Sequence, residues 1–186
     1  MRIITGTARG ARLETLEGEE ITRPTTEKVK EGIFSAIQFD VEGRNVLDLF
    51  AGSGQLGLEA LSRGAESCVF VDANDKAAAI VKKNAQKTKL YQKTLVLCSG
   101  YKEYIKSAKG ARKFDLVFLD PPYAEKMLAD ALEKLAEAEL LSEGAVVVCE
   151  SDAEITDYDE SAYELKKVYR YGKTFVTMLC AKRKEA

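Results

Sequence analysis

The sequence predicts an α/β protein built around a mostly parallel sheet. From residue 45 onward, short apolar runs alternate with amphipathic segments, which is the order of parallel strands joined by helices. The stretch AGSG, residues 51–54, falls between the first apolar run and the first helical segment, which is the context that a ligand-binding glycine loop requires. The length of 186 residues fits one such domain with a small extension.

The strands and helices of the main domain follow from this alternation. Five apolar runs are the predicted parallel strands: NVLDLF, SCVFVD, TLVLC, FDLVFLD and GAVVVCE. The segments between them are predicted helices: LGLEALSRG, DKAAAIVKKNAQKTK, YKEYIKSA and EKMLADALEKLAEAELL. The last part, YELKKVYRYGKTFVTMLC, has two strand-like runs on either side of Gly172 and predicts an antiparallel hairpin at the sheet edge.

Residues 1–42 are predicted to form an N-terminal extension, and residues 43–186 the main domain. RIITG and ARLETL flank a turn between Gly6 and Gly10, which predicts a β-hairpin. Pro24 restricts the residue before it and ends any regular element there. The following EKVKEGIFSAIQF has its apolar residues at helical spacing, so we expect an amphipathic helix.

Composition excludes several kinds of chemistry. The chain has no His, so a His-based triad, a His general base and a His metal ligand are all ruled out. The four cysteines form no CxxC pair and each lies in an apolar run, which predicts reduced core thiols. No signal peptide and no apolar run of membrane-spanning length are evident. We therefore expect a cytoplasmic monomer without a metal.

The formal net charge of −2 hides a strong segregation of charge. Residues 74–113 hold 11 basic and 2 acidic side chains, whereas residues 114–164 hold 2 basic and 15 acidic ones. A basic run is most often the solvated face of a helix, and we favour that interpretation over contact with a nucleic-acid backbone for the distal ones among Lys82, Lys83, Lys87, Lys89 and Lys93. Arg170 and Lys173 flank the predicted C-terminal turn, where they are candidates for RNA contact.

The AGSG loop and two aspartates predict a ligand with a ribose and a cationic end. Gly52 and Gly54 allow close approach of a ligand to the backbone, and the next helix offers free N–H groups. Asp48, just before the loop, suits an amino group better than a pyrophosphate. Asp72 ends the second strand, where an acid accepts the hydroxyls of a ribose. S-adenosylmethionine fits this pair, and NAD fits less well.

The motif DPPY, residues 120–123, follows the fourth strand. With a strand order of 3-2-1-4-5 it faces the AGSG loop across the ligand crevice. Asp120 and the carbonyl of Pro121 can accept the two hydrogens of an exocyclic amine and orient its nitrogen for attack on a methyl group. Pro122 stiffens the segment, and Tyr123 can stack on an extruded base. The motif predicts amino-group methylation of a base.

On these residues the sequence resembles class I S-adenosylmethionine-dependent methyltransferases. MRIITGTARGARL, RPTTEKVKEGIFSAI, LDLFAGSG and the terminal YGKT closely resemble the RsmD family. The resemblance implies a Rossmann-like, seven-stranded sheet with an N-terminal β-hairpin. It also implies methylation of guanine N2 in 16S rRNA, with the assembled or partly assembled small ribosomal subunit as substrate.

The site residues that match the family's motifs by position are Asp48, Gly52, Gly54, Asp72, Asp120, Pro121, Tyr123, Arg9, Arg23 and Lys28. The predicted cofactor-binding residues are Asp48, Ala51, Gly52, Ser53, Gly54, Asp72, Ala73, Ser99 and Gly100. The predicted catalytic residues are Asp120, Pro121, Pro122 and Tyr123, and the predicted RNA contacts are Arg9, Arg23, Lys28, Arg170 and Lys173. Many such enzymes have an acid after the third strand for the adenine amine. This chain has Ser99 and Gly100 there, where a hydroxyl or a backbone carbonyl could accept from the adenine amine instead.

Three other functions stay open at this point. DPPY also serves adenine N6, so an adenine methyltransferase acting on RNA or DNA is the first alternative. A non-catalytic nucleotide-binding factor in ribosome assembly is the second, and the intact motif from Asp120 to Tyr123 argues against it. An NAD oxidoreductase is disfavoured by Asp48 and by the missing third glycine of the loop.

Overall fold

A computed structural model describes residues 1–16, 27–122 and 124–183. Two predicted site residues, Arg23 and Tyr123, lie outside the described residues. Seven strands form one sheet, and their bounds are β1 Asn45–Asp48, β2 Ser67–Asp72, β3 Thr94–Cys98, β4 Phe114–Leu119, β5 Leu141–Ser151, β6 Tyr163–Tyr171 and β7 Thr174–Ala181. In the described residues five α-helices accompany them: α1 Glu27–Ala36, α2 Gln55–Ser62, α3 Asp75–Lys87, α4 Tyr101–Ala108 and α5 Ala124–Glu137.

The strand order is β3-β2-β1-β4-β5-β7-β6, which confirms the predicted fold class. The first five strands are parallel, and β7 pairs antiparallel with both β5 and β6. From β1 to β3 each new strand is added on one side of β1, whereas β4 and β5 are added on the other side, so the strand order reverses between β1 and β4. A crevice opens beyond the carboxyl ends of neighbouring strands at such a point.

The C-terminal hairpin brings its turn to this same edge of the sheet. Ser151, at the carboxyl end of β5, pairs with Phe175 near the start of β7. Because β7 runs antiparallel to β5, the turn around Gly172 lies beside the carboxyl ends of the parallel strands. The hairpin prediction is confirmed, with β7 inside the sheet and β6 at its edge.

Two hydrophobic clusters cover the two faces of the sheet. One contains α1, α2 and α3 together with apolar residues of the N-terminal segment, and the other contains α4 and α5. The ring of Phe34 on α1 packs on that of Phe118 on β4, with 5.7 Å between their centroids. Gly32 permits a close approach to β6, because a Cβ there would lie 2.0 Å from the Tyr171 hydroxyl.

The predicted N-terminal β-hairpin is reduced to a single antiparallel bridge between Arg2 and Arg12. Backbone hydrogen bonds from Ile3 N–H to the Ala11 carbonyl and from Gly10 N–H to the Ile3 carbonyl hold the two arms together. The turn between them hydrogen-bonds to α2 instead of extending the ladder. We call residues 1–16 the N-terminal arm.

One of the four cysteines departs from the prediction of core thiols. Cys68 and Cys149 are buried and Cys180 is partly buried, but Cys98 is exposed. Cys98 ends β3, and β3 is an edge strand with one side open to solvent. None of the helices in the described ranges has the length and apolarity needed to cross a membrane.

Candidate functional site

A cavity of about 900 Å³ opens at the carboxyl ends of β1, β2 and β4. The predicted residues that line it are Asp48, Ala51, Gly52, Ser53, Asp72, Ala73, Ser99, Gly100, Asp120, Pro121 and Pro122. The structure therefore brings the predicted cofactor residues other than Gly54, and the described part of the DPPY motif, to one cavity.

The AGSG loop turns tightly from β1 into α2. Gly52 and Gly54 have φ values of 52° and 80°, in the left-handed region that favours glycine. The N–H of Gly54 donates to the Ala51 carbonyl at 2.7 Å, which closes the turn. Gly54 is the N-cap residue of α2, and it has no side chain that could bond to the first N–H groups of the helix. The loop thus presents backbone and the amino end of a helix to the cavity.

Gly57 lets α2 pack directly on β2. A Cβ at this position would lie 2.3 Å from the ring of Phe70 and 2.7 Å from Sγ of Cys68. Gly54 needs less room, since its nearest neighbour would be Val81 at 3.2 Å. Although Gly54 lines no part of the cavity itself, its close packing on α3 fixes where the lining residues of the loop lie.

Asp48 is almost completely buried at the cavity wall. Its Oδ2 accepts a hydrogen bond from the N–H of Gly57 at 3.0 Å. Burial raises the pKa of Asp48 to about 7, the hydrogen bond from Gly57 opposes this shift, and the nearby charge of Asp72 adds to it. A cation in the cavity would stabilise the ionised form of this carboxyl group.

Asp72 supports the loop with one oxygen and the start of α3 with the other. Its Oδ2 accepts from the N–H of Gly52 at 2.8 Å, and its Oδ1 accepts from the N–H of Asn74 at 2.8 Å. Each carboxylate oxygen has a second lone pair for a ligand hydroxyl. Asp72 is partly exposed, as a ribose-binding acid must be.

An aromatic pair forms the wall beside Ser99 and Gly100. The rings of Phe50 and Tyr101 lie 5.2 Å apart, and both residues line the cavity. The Tyr101 hydroxyl donates to Asp130 Oδ2 at 2.7 Å, which anchors the ring to α5. Burial, reinforced by this carboxylate, raises the pKa of Tyr101 to about 12. The wall offers flat apolar surface to a planar ligand.

Sequence reasoning missed a buried amide at the cavity, that of Gln55. Gln55 begins α2 and lines the cavity, and its Oε1 is buried with no hydrogen-bond partner among the described residues. A buried acceptor without a donor is costly, so a ligand donor would relieve it. In the sequence Gln55 directly follows AGSG, but no sequence pattern marks a Gln at this position as a ligand-binding residue.

The N-terminal arm also lines the cavity, which the sequence did not indicate. Its lining residues are Met1, Leu13, Thr15 and Leu16. Buried polar side chains fix the arm to the domain, among them Glu59 on α2 and Asn84 on α3. Both lie inside ordinary helical patterns in the sequence, so no local signal marks them.

The predicted RNA contacts lie at different distances from the cavity. Arg170 and Lys173 are exposed at the C-terminal turn, on the sheet edge that carries the cavity. Lys28 is exposed on the first turn of α1. Arg9 is exposed in the turn of the arm, beside the C-terminal end of α2 and therefore away from the AGSG loop at its other end.

Comparison with known proteins matches nearly the whole chain to a family model. A family model described as "Conserved hypothetical protein 95" matches residues 1–180. "Putative rRNA methyltransferase YlbH" of Bacillus subtilis is 43% identical over 83% of this chain and 84% of its own. "Ribosomal RNA small subunit methyltransferase D" of Haemophilus influenzae is 35% identical over 82% of this chain and 79% of its own.

A solved structure is similar to this chain along nearly its whole length. It is described as "Putative methyltransferase yhhF from Escherichia coli", with a TM-score of 0.87, 28% identity, and 99% coverage of both chains.

The fold and the cavity together define a protein of the Rossmann-like methyltransferase class. Within that class the chain belongs to the RsmD family, as the family model and the relatives show. The family predicted from the sequence motifs is confirmed.

Proposed function

We propose that this protein transfers a methyl group from S-adenosylmethionine to N2 of a guanine in 16S rRNA of the small ribosomal subunit. The observation that carries the proposal is that Asp120 and the AGSG loop line one cavity. A methyl donor held at the loop and an amine held at Asp120 would then meet inside it. Family membership supports the choice of rRNA, since the relatives are described as rRNA methyltransferases.

The hydrogen-bond acceptors that line the cavity fit S-adenosylmethionine. Asp72 has free lone pairs for the ribose hydroxyls, and the buried Asp48 carboxyl group would be stabilised in its ionised form by a cationic ligand. Oε1 of Gln55, which has no partner within the described part of the chain, adds a buried acceptor for a donor group of the ligand. S-adenosylmethionine supplies an already activated methyl group, so the protein needs no strong base.

The DPPY segment would hold the target amine. Asp120 and Pro121 line the cavity at the carboxyl end of β4, next to β1 and its glycine loop. Asp120 would accept one N–H of the exocyclic amine and the carbonyl of Pro121 the other, which orients the nitrogen lone pair toward the methyl group. Catalysis is then mostly positioning, which is worth several orders of magnitude in rate.

The RNA would approach from the edge of the sheet that carries the cavity. Arg170 and Lys173 lie at this edge on the C-terminal turn, where they would contact phosphates without reading sequence. The Arg170 side chain is held in place by donating to the Gly172 carbonyl at 3.0 Å. Arg9, at the far end of α2, and Lys28, on α1, would contact RNA outside the cavity.

Replacement of Asp120 tests the proposal. Asp120→Ala should reduce methyl transfer to small subunits by at least a hundredfold, while S-adenosylhomocysteine binds with an affinity within about threefold of wild type. Asp157→Ala, at an exposed acidic residue of the same charge block, serves as the matched control and should keep full activity. Full activity of Asp120→Ala would refute the proposed role of the motif.

A further inference from the structure

The N-terminal arm reaches the cavity although it precedes the methyltransferase core in sequence. Its two ends, Met1 on one side and Leu13, Thr15 and Leu16 on the other, line the cavity together with the AGSG loop. Glu59 anchors its middle by accepting hydrogen bonds from the N–H groups of Ile4 and Thr5, at 2.8 and 3.0 Å. Because these two bonds hold residues 4 and 5, another contact has to hold residues 13–16, the part of the arm at the cavity wall.

Asn84, on α3, makes that contact and is completely buried. Its Oδ1 accepts from the N–H of Glu14 at 2.8 Å, and its Nδ2 donates to the Glu14 carbonyl at 2.9 Å. The same Nδ2 donates to the carbonyl of Ser53, in the AGSG loop, at 2.9 Å. Both amide hydrogens are thus used, one on the arm and one on the loop.

Two further contacts join the same three parts of the molecule. Lys83, next to Asn84, forms an ion pair with Glu14 at 2.7 Å. The Ser53 hydroxyl donates to the sulfur of Met1 at 3.4 Å. The ion pair is exposed and contributes little, and a thioether is a weak acceptor, so the buried amide carries the link.

We propose that Asn84 is a positioning residue that couples the N-terminal arm to the AGSG loop, which makes residues 13–16 a functional wall of the cofactor site. This rests on the proposed function, since S-adenosylmethionine is the ligand of that site. One side chain holds both the loop and the arm, so a ligand that orders the loop also orders the arm. The coupling is reciprocal, and loss of the arm contact weakens ligand binding equally.

The chemistry of the amide distinguishes this role from simple packing. Only an amide can accept from one backbone N–H while donating to two carbonyl oxygens. In Asn84→Asp the carboxylate keeps the bond from the Glu14 N–H but faces the carbonyl oxygens of Glu14 and Ser53 without a hydrogen to offer. In Asn84→Ala all three bonds are lost.

Calorimetric titration with S-adenosylhomocysteine tests the coupling, with Thr88→Ala as the matched control. Thr88 is buried near the end of the same helix, and its hydroxyl donates only to the backbone of Asn84 and Ala85. Asn84→Ala and Asn84→Asp should each raise the dissociation constant roughly tenfold or more, equivalent to about 1.4 kcal/mol. Thr88→Ala should leave it within twofold.

Kinetics separate positioning from general loss of structure. In the Asn84 variants KM for S-adenosylmethionine should rise about tenfold, while KM for the small subunit and kcat at saturating cofactor stay within about twofold. An Asn84→Ala protein that is folded and binds S-adenosylhomocysteine as tightly as wild type overturns the coupling. It leaves the proposed methyltransferase function intact.

Hydrogen exchange on the wild-type protein keeps the test decisive even if the Asn84 variants do not fold. Saturation with S-adenosylhomocysteine should slow exchange of the amides in residues 13–16, that of Glu14 above all, as well as those of the loop. Slower exchange in the loop alone, with residues 13–16 unchanged, overturns the coupling. Failure of wild type to bind S-adenosylhomocysteine overturns both the coupling and the proposed function.

Discussion

Lys30 and Glu59 form an ion pair with 3.5 Å between Nζ and Oε2, and neither side chain has any exposed surface. Glu59 also accepts from Arg63 Nε at 2.8 Å, and Lys30 Nζ donates to the Arg2 carbonyl at 2.6 Å. Burial lowers the pKa of Lys30, and the charge of Glu59 opposes that shift. These two residues therefore join the N-terminal arm, α1 and α2 through buried charge.

Removal of the Glu59 carboxylate should strongly destabilise the folded protein. Glu59→Ala leaves the Lys30 ammonium buried without its counter-ion and two arm amides without an acceptor, so we expect a loss of about 3–5 kcal/mol in the free energy of unfolding. Guanidinium chloride denaturation measures it. Glu27→Ala, which breaks the exposed pair of Glu27 with Arg2, should cost less than about 1 kcal/mol. Equal losses in the two variants would contradict the account of the buried pair.

The raised pKa of Asp48 predicts a pH-dependent ligand affinity. In the ligand-free protein this carboxyl group takes up a proton as the pH falls through about 7, whereas a bound cation needs it ionised. The affinity for S-adenosylmethionine should therefore fall about tenfold per pH unit below 7 and level off above it. Binding titrations between pH 5.5 and 8.5 measure this slope.

Asp48→Asn is the control for that slope. An amide oxygen can still accept from the Gly57 N–H, but the side chain no longer titrates. The variant should bind more weakly at pH 8 and show a flat profile between pH 5.5 and 7. The same variant should gain stability over wild type as the pH rises from 4 to 7, since the unfolded carboxyl group ionises first in wild type. An unchanged slope in the variant would assign the pH dependence to another group.

Gly6 is predicted to be irreplaceable in the arm. Its φ is +87°, and a Cβ there would lie 1.8 Å from the carbonyl oxygen of Ser62 at the end of α2. Gly6→Ala has to break the docking of the arm on α2, including the 2.8 Å bond from the Thr7 N–H to that carbonyl. Thermal unfolding should show that the free energy of unfolding falls by more than about 3 kcal/mol.

Gly10→Ala separates backbone strain from steric clash. Gly10 has a φ of +83°, nearly that of Gly6, but a Cβ there would meet no atom within 4 Å. Alanine at this position is disfavoured only by the left-handed backbone conformation, so we expect the free energy of unfolding to fall by about 1–2 kcal/mol. Should Gly6→Ala prove no worse than Gly10→Ala, the close approach of the arm to α2 would be refuted.

The parts of the molecule that the sequence predicts well are those with local signals. Apolar runs of four to six residues between amphipathic segments indicate the parallel strands wherever they lie in the sheet. The AGSG turn needs glycine at Gly52 and Gly54 because both have positive φ. Asp48 and Asp72 follow from their positions at strand ends, so their meeting at one cavity was predictable from topology alone.

The parts it could not predict depend on partners far away in sequence. Glu59 lies in LEAL and Asn84 in KKNAQ, both ordinary helical segments, yet their hydrogen-bond partners in the arm are 54–70 residues away. The arm itself resembles a β-hairpin because two short strand-like runs flank the turn between Gly6 and Gly10. Its turn instead bonds to Ser62, whose hydroxyl accepts from the Ala8 N–H at 2.9 Å. Such docking has no local pattern.

The central claim is tested most directly by identification of the methylated nucleoside. Small subunits from a strain lacking this gene, incubated with the protein and S-adenosylmethionine carrying a deuterated methyl group, are digested to nucleosides and analysed by mass spectrometry. We predict deuterated N2-methylguanosine from 16S rRNA, and none with Asp120→Ala. Labelled N6-methyladenosine, or no labelled nucleoside from any ribosomal particle, would contradict the account.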